Sequence, residues 1–146
     1  MTGARKVQAV LFACAMNAVR SPMAEALARH YFGQTLYIQS AGIRKGSVDG
    51  FALSVLDELG IDAKSHKPHT LEELAEWEGL NFDLIITLSP EAHHAALELT
   101  RTAFVDVEYW PTPDPSVIEG TRETKLDAYR SVRDKLSARI LERLSA

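Results

Sequence analysis

The amino-acid sequence predicts an α/β fold in which a parallel sheet is covered by helices. Short β-branched and aliphatic runs alternate with longer amphipathic stretches. The runs at residues 7–13 and 84–88 are apolar almost throughout, as strands buried on both faces are. Helix-start signals recur between the runs.

Four strands are expected, at residues 7–13, 36–40, 84–88 and 103–109, with the first and third in mid-sheet. Ser21 followed by Pro22 opens one helix, and Thr70 with Glu73 three residues on forms a capping box. Ser89 followed by Pro90 opens another helix, and Gly60 closes the one over residues 51–59. Residues 121–144 place Leu126, Tyr129, Leu136, Ile140 and Leu144 on one stripe, which suits a long helix laid across the sheet. Segments 41–50 and 110–120 have no period. Both follow strands, where an open α/β sheet places its ligand-contacting loops, so they are expected to frame a site.

The 146 residues, 46% of them hydrophobic, fit a single domain over 1–146 with a core that needs no staples, and exclude a disordered or low-complexity chain. The single cysteine, Cys14, excludes an internal disulfide and a multi-cysteine metal site. A cytoplasmic location is the corresponding expectation. The longest apolar run, residues 9–16, is too short for a bilayer and no cleavage pattern follows it, so neither signal peptide nor membrane anchor is expected. A net charge of −4 argues against general nucleic-acid binding. An anionic ligand therefore has to be held by a local site.

The informative segment runs from Cys14 at the carboxyl end of a strand, through a loop, to Arg20 at the start of a helix. A loop here whose amides point inward makes an anion nest, and the positive end of the helix adds to the same field. Ala15, Met16, Asn17, Ala18 and Val19 would line that nest. Arg20 would present a planar fork to two oxygens of a bound oxyanion, a geometry lysine cannot reproduce. The same field favours the thiolate of Cys14. Taken in isolation, the pair also fits a buried small hydrophobe beside a solvated arginine. The coincidence of strand, polar loop and Ser-Pro helix start favours the site, since a cation at a helix amino terminus is unfavourable unless an anion offsets it.

Phosphoryl transfer to a thiolate needs a proton for the leaving oxygen. Asp114, between prolines in Pro111-Thr112-Pro113-Asp114-Pro115, is the candidate acid, with a plain turn aspartate as its alternative. Asp106 is the rival acid, in a strand where a structural or solvated role is expected. Asn17 is expected to hold the nest open, and Ser21 to cap the helix and donate to the thiolate. His66, His69, His93 and His94 lack a third ligand at recognisable spacing and are read as surface or loop histidines, with no metal. Trp77 is expected to be a partly buried packing residue, while Trp110 borders the acid loop.

The run Cys14-Ala15-Met16-Asn17-Ala18-Val19-Arg20-Ser21-Pro22-Met23-Ala24-Glu25 resembles the phosphate loop of the low molecular weight protein tyrosine phosphatases. The likeness extends to Ser40-Ala41-Gly42, Ser65-His66-Lys67 and Asp114-Pro115. The resemblance implies a three-layer fold with a four-stranded parallel sheet in the order 2-1-3-4 and helices on both faces. It implies Cys14 as nucleophile, Arg20 as clamp and Asp114 as acid and then base, with Asn17, Ser21 and Ser40 ordering the loop. It implies no cofactor. The partners implied are a phosphorylated protein or small phosphate ester, without nucleic acid or membrane, for a monomer or weak dimer.

The departures carry information too. Met16 stands where the family commonly has glycine, which predicts a different loop shape at that position. Val19 stands where many members have a second cysteine, so no protective disulfide can form. The pocket aromatics of many members are replaced by residues 44–46 and by Ser116-Val117. The chain also resembles the thioredoxin-coupled arsenate reductases of the same fold in Ser40-Ala41-Gly42-Ile43 and from Tyr109 to the last helix. Their chemistry passes through two further cysteines that residues 88–100 lack. The leading expectation is a phosphomonoesterase, tyrosine-directed by resemblance. The alternatives are an arsenate reductase using an external thiol and a phosphate-binding module without turnover.

Overall fold

Strand β1 (Ala9–Cys14) is buried from Val10 onward and pairs in parallel with β2 (Tyr37–Gly42) on one side and β3 (Leu84–Thr87) on the other. Strand β4 (Asp106–Tyr109) adds in parallel to β3, giving the order β2-β1-β3-β4. The computed structural model describes residues 7–77, 79, 81–101 and 103–145; the remainder of the chain lies outside the described residues. Alternate side chains of β1 serve opposite faces. Val10 and Phe12 pack with helices α1 (Arg20–Phe32), α2 (Gly50–Asp57) and α5 (Arg122–Leu144). Leu11 and Ala13 pack with α3 (Leu71–Trp77) and α4 (Pro90–Leu99). The parallel sheet between two helical layers matches the expected fold class.

Most helix ends follow local chemistry. Thr70 Oγ1 accepts from the Glu73 amide at 3.0 Å while Glu73 Oε1 accepts from the Thr70 amide at 2.9 Å, the expected reciprocal box. Ser89 Oγ accepts from the Ala92 amide, with Pro90 in the first turn of α4. At the end of α2 the Gly60 amide donates to Asp57 O and the Ile61 amide to Leu56 O, with Gly60 at φ 76°. That pair of bonds is a Schellman closure, which needs a left-handed residue and therefore favours glycine.

Three expectations are corrected. Helix α1 begins at Arg20 after Val19, with no side-chain cap, so Ser21 lies inside the helix and is fully buried. Trp77 is 64% exposed, because the short α3 buries only Leu71 and Leu74 and its last residue overhangs against His69. Strand β4 starts at Asp106 rather than 103; Ala103 is spent in a turn to Thr100, and Phe104 is exposed. The buried face of α5 also takes in Val132 and Arg133. Among the described residues no helix is long and apolar enough to cross a membrane.

Arg133 is tolerated there because its guanidinium donates to Val55 O at 2.9 Å and to Glu58 Oε1 at 2.7 Å, tying α5 to the end of α2. Glu58 also accepts from Arg130 at 2.7 Å. Hydrogen bonds from Arg130 and Arg133 hold the Glu58 carboxyl down to about 2, from an ordinary 4.5. A carboxyl lowered on folding stabilises above its unfolded value and loses that contribution as pH falls towards its folded one. Glu58→Gln should therefore flatten the acid limb of thermal stability between about pH 4.5 and 2. At neutral pH it should cost about 1 kcal/mol or less, since the pair is partly solvated. Thermal unfolding across that pH range checks both.

Candidate active site

The loop between β1 and α1 is gripped from outside by the chain that follows β2. Ala15 O accepts from the amides of Ile43 and Arg44 at 2.9 Å, Met16 O from Gly46 at 2.9 Å, and Ala18 O from Asp49 at 3.0 Å. In a planar trans peptide the C=O and N–H point opposite ways. Carbonyls turned out towards residues 43–49 therefore turn amides inward. Among the described residues the amides of Ala15 through Arg20 donate to no protein acceptor. Such a run of amides, at the amino end of the 13-residue α1, is an arrangement that receives an oxyanion.

The curl needs one left-handed residue, and it is Asn17, at φ 52° the one non-glycine with positive φ among the described residues. Asparagine tolerates this region better than most side chains. Met16 is not left-handed; it is 41% exposed and its Cε packs close over Gly46. The methionine therefore does not distort the turn in the way its replacement of glycine predicts.

The side chain of Asn17, fully buried, fixes the curl. Its Nδ2 donates to Ser21 Oγ at 2.9 Å and to Ser40 Oγ at 3.0 Å. Its Oδ1 accepts from the His69 amide at 3.0 Å and lies 3.2 Å from His66 Nε2. All four hydrogen-bonding positions of the amide are in use. Ser40 Oγ in turn donates to Glu25 Oε1 at 2.5 Å. Burial pushes the Glu25 carboxyl up, but the His66 ring, the Ser40 hydroxyl and the Arg29 charge outweigh it and hold it below the ordinary carboxylate range.

His66 corrects the reading of it as a surface or loop residue. Its side chain is 8% exposed and stands between Asn17 and Glu25, with Nδ1 3.7 Å from Glu25. Neither Glu25 nor His66 was assigned a role from the sequence. A signal existed for Glu25, an acid on the buried face of α1 beside Met23, Ala24, Leu27 and Ala28. His66 offers no comparable local pattern.

Cys14 is 2% exposed at the end of β1, opposite Gly42. Its Sγ lies 2.8 Å from Ser21 Oγ, which is also 3.3 Å from Ala41 O. The position inside α1 that removes Ser21 from capping is what brings its hydroxyl to the sulfur. Arg20 is half-buried and donates through Nη1 to Thr112 O at 3.0 Å. The loop that carries Asp114 is thus tied to the loop after Cys14 across 92 positions. Asp114 is half-buried on that loop; its Oδ1 accepts from the Ser116 amide at 2.9 Å and hydroxyl at 2.6 Å. Its Oδ2 has no protein hydrogen bond among the described residues. The rival, Asp106, is exposed at the start of the edge strand.

A Cβ at Gly42 would sit 2.6 Å from Asn17 N and 2.8 Å from Met16 C, so the loop backbone lies directly on this residue. Gly42→Ala should cost about 1–3 kcal/mol, since a rigid backbone must move to admit the methyl group. It should also weaken binding of inorganic phosphate more than a change of equal stability cost far from the loop. Urea unfolding and calorimetric titration measure the two effects.

Comparison with known proteins shows the family and the fold. The family model "Low molecular weight phosphotyrosine protein phosphatase" matches residues 9–145. An arsenate reductase of Shouchella clausii is 33% identical over 132 residues, covering 90% of this chain and 91% of that protein. In fold the chain is similar to the tyrosine phosphatase amsI of Erwinia amylovora, with a TM-score of 0.77 at 22% identity over 97% of this chain and 93% of the other. It is equally similar to an arsenate reductase in the phosphate binding state, with a TM-score of 0.77 at 23% identity over 94% and 96% of the two chains. With the model covering all but the first strand's approach and the last residue, this chain belongs to the low molecular weight phosphotyrosine protein phosphatase family.

Proposed function

We propose that the chain reduces arsenate with electrons from an external thiol, using Cys14 as nucleophile. The observation that carries the reading is the run of inward amides beside the sulfur of the chain's single cysteine. A tetrahedral oxyanion there would be held by the loop amides and the Arg20 fork while Cys14 attacks in line. The S–As bond forms as a protonated oxygen leaves as water, with Asp114 as the proton donor through its open Oδ2. An external thiolate then attacks arsenic and displaces Cys14, and a second attacks the sulfur of that new adduct. Two electrons pass to arsenic, giving arsenite and the disulfide of the external thiol. Ser21, 2.8 Å from Sγ, eases each departure of the thiolate by hydrogen bonding to it. Support for arsenate comes from the similarity to arsenate reductases over nine-tenths of the chain. A rim without aromatic residues at 44–46 and 116–117, which suits a small substrate, supports it too.

A second reading is phosphomonoester hydrolysis on the same loop. Asp114 favours it, because an ester leaving group requires a carboxylic acid and Asp114 stands two residues beyond the carbonyl that receives Arg20; water would then release the cysteinyl phosphate. One kinetic comparison separates the two. The protein supplied with arsenate and glutathione should form arsenite in step with glutathione disulfide, and Cys14→Ser should form none. Asp114→Asn should slow the reaction by about 10²- to 10⁴-fold. Hydrolysis of p-nitrophenyl phosphate without arsenite formation would overturn the first reading in favour of the second.

A further inference from the structure

Among the described residues Arg20 makes no ion pair; its one protein hydrogen bond runs from Nη1 to the main-chain carbonyl of Thr112. A guanidinium is flat and carries five N–H donors. Pinning it through Nη1 leaves the Nε and Nη2 edge, the edge that grips two oxygens at once, without a protein acceptor. Whatever fixes the Thr112 carbonyl therefore fixes the clamp.

The acid loop is not packed in place on its far side. A hollow of about 350 Å³ lies behind it, lined by Pro111, Thr112 and Pro113 on one wall and by Val132, Leu136 and Arg139 of α5 on the other. The segment is held by hydrogen bonds and by the packing of Trp110. The Trp110 amide donates to Thr87 O at 2.8 Å and the Thr112 amide to Leu88 O at 3.2 Å. The Trp110 ring, 4% exposed, meets Phe12 edge-on, and the Arg139 guanidinium lies 5.0 Å from its centroid. Between these anchors Thr112 Oγ1 donates to Trp110 O at 2.8 Å. That bond spans Pro111 and sets the orientation of the peptide whose carbonyl receives Arg20.

We infer that Thr112 is a positioning residue for the oxyanion clamp, its hydroxyl locking the local backbone so that its own carbonyl presents the Arg20 fork to the ligand. The inference rests on the loop after Cys14 being the oxyanion site proposed above. Binding of inorganic phosphate, which needs no turnover, reads it directly. Thr112→Val keeps the shape of the side chain and removes the hydroxyl; its phosphate dissociation constant should rise about fivefold, the worth of one net hydrogen bond. Thr112→Ser should restore it.

In an Arg20→Lys background, where the fork is already lost, Thr112→Val should add nothing, a coupling that a merely structural role would not produce. In the unsubstituted protein without phosphate, the Arg20 Nη nitrogens should give separate signals by NMR, as a pinned guanidinium does. Unchanged binding by Thr112→Val, the full loss persisting beside Arg20→Lys, or fast-averaged Nη signals would each overturn the inference. The NMR measurement stands even if the valine variant folds poorly. Absence of phosphate binding by the unsubstituted protein would overturn the site reading and this inference together, whereas intact binding that ignores Thr112 overturns this inference alone.

Discussion

The peptide planes between Cys14 and Arg20 must all be turned one way, and much of the surrounding structure meets that demand. A carbonyl facing outward needs a donor, and the chain after β2 supplies four amides, those of Ile43, Arg44, Gly46 and Asp49. Bringing that chain so close leaves no space for a side chain at Gly42. Reversing direction within the loop needs a left-handed residue, and only a side chain with both donors and acceptors can hold such a residue in the buried position of Asn17. Ser21, Ser40, His66 and His69 answer it from three separate parts of the chain.

This arrangement also explains why an ionised carboxylate is retained inside α1. Glu25 gains nothing by burial alone, since desolvation opposes its charge. It accepts from Ser40, whose hydroxyl proton is then directed away from Asn17, so that Ser40 Oγ must act as an acceptor towards Nδ2. One carboxylate thus sets the direction of a hydrogen-bond chain that ends at the loop, and through Ser21 at the sulfur. Directionality of this kind is what a fully satisfied buried network can impose and an apolar core cannot.

Features encoded within four residues of one another were legible in the sequence. The Thr70–Glu73 box, Ser89 before Pro90 and the Gly60 closure each declare themselves locally, and the apolar runs of β1 and β3 reveal their central place. Ser21 was misleading for the same reason. A serine before a proline has the local signature of a cap, but the loop's need for a hydroxyl beside Cys14 places the helix start one residue earlier. The bonds from His66 to Asn17 and from Arg20 to Thr112 join positions 49 and 92 apart, and the second ends on a main-chain carbonyl, which no side-chain pattern can mark. Arg133 escaped the apolar stripe because its partners are a carbonyl and a carboxylate at the end of another helix.

Phosphate and arsenate present the same tetrahedral shape and charge, so a ring of amides and one guanidinium has little means of telling them apart. Discrimination has to come from the rim and from the fate of the covalent adduct. After β2, Arg44 pairs with Glu91 of α4 with both contacts within 3.0 Å and Lys45 with Glu73 of α3 at 2.9 Å. Val117 is 70% exposed. Neither residues 44–46 nor residues 116–117 include an aromatic side chain against which an aryl group could stack. Once the adduct has formed, hydrolysis needs only water and a base to take its proton, whereas reduction needs two electrons. On the proposed reading Asp114, having given up its proton, would be that base, but a chain whose one sulfur is already bound to the substrate has no second thiol to give electrons. On the reading proposed above, the open rim and the single cysteine are two sides of one requirement: a reductant arriving from solution would have to reach an adduct lying at the end of β1.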